Sequence, residues 1–85
     1  MFINKSTDGR NNASGTRIAE LRKGLNISQR ELADKLQLIG LDIDKNAIQR
    51  IECGKRFVTD IELIAFSKVF EVSFDDLLKM NSQAP

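Results

Sequence analysis

The chain has 85 residues, 41% of them apolar and 29% charged, with a net charge of +1. That size supports one modest core, and the composition is that of a soluble globular domain rather than a disordered one. With no histidine and a single cysteine, Cys53, the chain lacks a zinc ligand set, an internal disulfide and the commonest general base, so no catalytic, metal or cofactor residue is expected.

No apolar run approaches the roughly 18 residues of a membrane span. The opening MFINKSTDGR has no secretory apolar block, and a lone cysteine suits a reducing compartment, so a cytoplasmic location is expected. Charge is unevenly placed. Residues 1–58 carry eleven Lys/Arg against seven Asp/Glu, a net of +4, while residues 59–85 carry two against five, a net of −3.

In chain order, residues 1–13 are rich in Asn, Ser, Asp and Gly and predict a flexible N-terminal arm. Lys5 and Arg10 could touch phosphate or a minor groove there, or have no role. A helical period begins near Ser14 or Thr16, with Ile18, Leu21 and Leu25 on one face, and stops around residue 25. Ser28 with Glu31 predicts a capping box that opens a second helix, Gln29–Leu38. Leu32, Ala33 and Leu36 form its inward stripe, with Gln29, Arg30 and Lys35 outside.

The connector that follows is unusually apolar: several of Leu38, Ile39, Leu41 and Ile43 should pack inward, and Gly40 should turn left-handed. Asp44 caps a third helix, 45–53, and Gly54 lies just past its end. Ile48 and Ile51 face the core, which leaves Lys45, Asn46, Gln49 and Arg50 outward. Cys53 reads as a small, semi-buried filler, and Phe57 as a loop anchor on the core or an exposed contact for a partner. Thr59 with Glu62 opens a fourth helix, Asp60–Phe70, apolar on two sides. Ser73 with Asp76 caps a last helix bearing Phe74, Leu77 and Leu78. The domain then spans 14–80, with a frayed tail over 81–85.

Two short helices joined by a turn, the second presenting Lys, Asn, Gln and Arg, form the outline of a DNA reader. The ordered pieces carry a more specific likeness. They are Ile18-x-x-Leu21-Arg22, Ile27-Ser28-Gln29-x-Glu31-Leu32-Ala33-x-Lys35-Leu36, Ile48-x-Arg50-Ile51-Glu52-x-Gly54-Lys55-Arg56 and Phe70-x-Val72-Ser73-x-Asp75-x-Leu77-Leu78. Over roughly residues 14–79 the chain resembles the helix-turn-helix family of phage lambda-type repressors and Cro. The resemblance implies an all-α, compact five-helix fold, here with an elongated connector between the second and third helices.

The resemblance also implies roles. Lys45, Asn46 and Gln49 match positions that reach base edges in the major groove, and their donors and acceptors suit that task. Gln29, Arg50, Lys55 and Arg56 match phosphate-contacting positions. Arg22 and Glu52 match an ion pair that joins the first helix to the third. Three departures stand out. The stretch from Leu36 to Ile48 is about five residues longer than the family's turn, Asp42 and Asp44 place negative charge beside the phosphate track, and Cys53 stands where the family often has Asn.

Two readings follow. One is a sequence-specific, double-stranded DNA-binding regulator, a repressor, acting as a homodimer on a palindromic site with Ile61, Ile64 and Ala65 as dimer contacts. The other is a protein-interaction module, such as an antitoxin or antirepressor, whose main partner is another protein. No membrane partner and no enzyme activity are expected.

Overall fold

A computed structural model describes residues 9–78. Among them the chain forms five helices and no strand: α1 Gly15–Gly24, α2 Gln29–Leu38, α3 Lys45–Glu52, α4 Asp60–Phe70 and α5 Phe74–Leu77. The expected frayed tail, Lys5 and the first eight residues of the expected arm lie outside the described residues.

Short polar side chains set the helix starts. Ser28 Oγ accepts from the Glu31 amide while Glu31 returns a bond to the Ser28 amide, and Thr59 and Glu62 do the same for α4. Asp44 and Ser73 cap α3 and α5 in the simpler one-way form. Each cap satisfies N–H groups that have no partner within the helix. α1 differs, because Ser14 makes no side-chain cap. Its first amide, Gly15 N, donates instead to Asn12 Oδ1 at 2.8 Å.

One core joins the helices. Ile18, Leu32, Leu36, Ile48, Ile51, Phe66 and Leu77 are fully buried, with Ala33, Ile43 and Ala65 beside them. α2 packs on α3, α1 on α3, and α4 on α5, α2 and α1. Burying each large aliphatic or aromatic side chain contributes about 1.5–3 kcal/mol. The Phe66 and Phe70 rings stack with centroids 6.2 Å apart. Arg17 bonds Asp76 at 2.8 Å and so fastens α5 to α1.

The connector, 39–44, behaves only in part as expected. Gly40 adopts φ +98, a left-handed turn that favours glycine because it has no Cβ to clash. Ile43 is buried and Leu41 half-buried, and Gln37 Nε2 closes the loop on the Ile43 carbonyl at 2.8 Å. Leu38, however, is 87% exposed and Ile39 is exposed as well. The first helix stops at Gly24, close to the expected residue 25, and Leu25 falls just past its last turn and is exposed.

The larger correction concerns the arm. Residues 10–12 do not hang free but lie along the C-terminal end of α3. Asn11 N donates to Gly54 O at 2.8 Å, and Asn12 Nδ2 to Arg56 O at 2.7 Å. Turn-forming residues read as mobile because their donors have no local acceptor; here the acceptors lie 39 to 44 residues away.

Candidate nucleic-acid interface

α3 separates its two faces cleanly. Ile48 and Ile51 point into the core, while Lys45, Asn46, Gln49 and Arg50 are exposed. Spacings of three and four put Asn46, Gln49 and Arg50 on one outward stripe. Cys53 continues that stripe and is exposed, correcting its reading as a semi-buried filler: one turn past Gln49, it shares the outward side. Asp44, Asn46, Ala47, Arg50 and Arg56 line a shallow depression at one edge of this surface.

Beneath the exposed stripe, Glu52 draws three elements together. Its carboxylate accepts from Arg22 Nε at 2.7 Å, from Arg22 Nη2 at 3.0 Å and from Gln29 Nε2 at 3.0 Å. Arg22 Nη1 also donates to the Ile27 carbonyl at 2.9 Å. The pair Arg22–Glu52 is largely buried, and its hydrogen bonds raise the Arg22 guanidinium pKa further above its ordinary value. These bonds lock α3 to α1 and to the start of α2.

The loop after α3 holds the other two cations. Lys55 is exposed and, like Lys45 and Arg50, joins no salt bridge among the described residues. Arg56 is committed elsewhere. Its Nη1 and Nη2 each lie 2.9 Å from a Glu62 oxygen, at the capping box of α4. Burial pushes the Glu62 carboxyl up, but the Arg56 guanidinium and the Thr59 amide more than offset this and hold it below the usual carboxylate range. The pattern Arg56-x5-Glu62 carried that signal, because a buried capping carboxylate needs a cation.

Three residues of the expected arm bond to the end of α3 and the loop after it; the sequence offered Arg10 as a phosphate or minor-groove contact and gave Asn11 and Asn12 no role. Arg10 Nη2 donates to Glu52 O at 2.7 Å and Ile51 O at 3.3 Å. Asn12 Nδ2 reaches Ile51 O at 3.0 Å, and Asn11 Nδ2 reaches Lys55 O at 3.1 Å. α1 starts so close to this junction that a Cβ on Gly15 would strike the Ile51 carbonyl oxygen.

Away from α3, Phe57, Ile61 and Ile64 are exposed by 55, 68 and 44%. Of the two readings of Phe57, the exposed one therefore holds, and its ring does not anchor the loop on the core. Ala65, expected beside Ile61 and Ile64, is 7% exposed and lies on the inward side of α4 with Phe66.

A model of the helix-turn-helix family, of the lambda repressor and Cro type, matches residues 18–77. The chain belongs to the helix-turn-helix family. Searches of curated proteins and of solved structures found no match. The family is one of DNA-binding transcription regulators, and α2 and α3 form the helix-turn-helix within the matched residues. In this helix-turn-helix the six-residue connector 39–44 replaces a tight turn, yet the Glu52 network and the shared core hold the two helices together. No helix among the described residues is long and apolar enough to cross a membrane.

Proposed function

We propose that this chain is a cytoplasmic, sequence-specific double-stranded DNA-binding repressor that lays α3 in the major groove. Lys45, Asn46 and Gln49 read base edges, and Arg50 and Lys55 take phosphates on either side. Gln29 keeps a second amide hydrogen for phosphate after its bond to Glu52, whereas Arg56 contributes charge from the edge of the groove while it remains on Glu62. Binding over a promoter excludes other proteins from it.

The observation that carries this reading is the outward face of α3. Its polar side chains are exposed, flanked by cations that join no salt bridge among the described residues, and mounted on a helix whose base is fixed by Arg22, Gln29 and Glu52. Selection from random duplex DNA tests it. Alanine at Lys45, Asn46 or Gln49 is expected to cost about 1–3 kcal/mol at particular base pairs, while Lys55→Ala weakens all sequences alike. No enriched site, together with affinity that stays flat as salt rises, overturns the reading.

One recognition helix reads few base pairs, so we propose a homodimer on a palindrome with half-sites roughly one helical turn apart. Ile61 and Ile64 are the contacts proposed for it. Sedimentation is expected to show a dimer on DNA, and a monomer both with and without DNA counts against it. The exposed Phe57, Ile61 and Ile64 also favour a second reading, a module that docks on another protein. Affinity for DNA that persists when Ile61 and Ile64 become polar separates the two surfaces.

A further inference from the structure

The C-terminal end of a helix carries partial negative charge on carbonyls that lack an intrahelical partner. In this molecule that end of α3 runs directly into Lys55, so a phosphate approaching Lys55 also approaches the carbonyls of 51–56. The strap takes five of those carbonyls. Arg10 takes Ile51 O and Glu52 O, Asn12 takes Ile51 O and Arg56 O, and Asn11 takes Lys55 O through its side chain and Gly54 O through its amide. Lys55 N is bonded back to Arg50 O at 2.8 Å. Residue 55 is therefore held from both its amide and its carbonyl, while its ammonium has no salt-bridge partner among the described residues.

We propose that Arg10, Asn11 and Asn12 form a positioning strap for the phosphate contact, an assignment that rests on the DNA-binding reading above. The strap acts in two ways. Its guanidinium and amides cover the negative end of α3 where a phosphate has to lie. It also fixes the backbone that presents Lys55, so the loop does not have to be ordered at the moment of binding. Arg10 thus serves DNA binding through the loop and helix end it holds.

The test is a thermodynamic cycle in the full chain, with binding to a mixed-sequence duplex measured across a salt series. Arg10→Gln and Asn11→Ala are each expected to weaken binding roughly fivefold, for all sequences alike, while circular dichroism shows them folded at the assay temperature. In either background Lys55→Ala should cost markedly less than it does in the unmodified chain, because the contact is already loosened. Additive losses, or unchanged affinity in folded strap variants, overturn the strap while the DNA reading stands. Should Arg10→Gln fail to fold, Asn11→Ala, which removes one bond at an exposed site, carries the cycle alone. If the unmodified chain shows no salt-dependent binding to any duplex, the DNA reading itself falls and the strap with it.

Discussion

Glu52 accepts three donors on two oxygens while largely buried, which makes it the residue whose loss the domain tolerates least. A surface ion pair contributes little, but deleting one partner of a buried pair strands the other charge. Glu52→Ala is expected to lower unfolding free energy by about 3–5 kcal/mol, as read from urea denaturation. It should also release Gln29, disturbing the face of α2 next to α3. The pair was legible because Arg22 and Glu52 sit in ordered family motifs. The exposure of single residues was less legible: Cys53 reads as semi-buried and Phe57 as either anchored or exposed, and only the path of the chain around each puts both in solvent.

At the scale of elements, capping chemistry made the helices readable. Ser28, Asp44, Thr59 and Ser73 each announce a start from the sequence alone, and α2, α4 and the start of α3 lie where those residues put them. The connector was less readable. Its apolar residues divide between core and solvent according to the left-handed turn at Gly40, which periodicity does not encode. The cap of α4 also has a measurable signature. Glu62 binds its proton less readily in the folded chain than in the unfolded one. Its stabilising contribution is therefore full above its unfolded pKa of about 4.5 and lost as pH falls through the lower folded value. Arg56→Gln is expected to flatten that acid limb of the stability curve, measured by thermal melts at a series of pH values.

At the scale of the whole molecule, the all-α fold and its single core followed from helical spacing and from the family motifs. The strap did not, because its bonds join residues 39 to 44 apart and its asparagines satisfy carbonyls rather than fill a pattern. That same separation has a consequence for how the domain assembles. Helices α2 and α3 meet across a short connector, whereas docking the strap closes a long loop for a few hydrogen bonds, an entropic cost that favours late formation. Asn12→Ala removes two donated bonds and the cap on Gly15, and about 2 kcal/mol of stability should go with them. In stopped-flow experiments the loss is expected in the unfolding rate, roughly thirtyfold faster, with refolding nearly unchanged. An equal slowing of refolding would place the strap in the folding nucleus instead. On this account α3 is in place first, and its far end is tied down last.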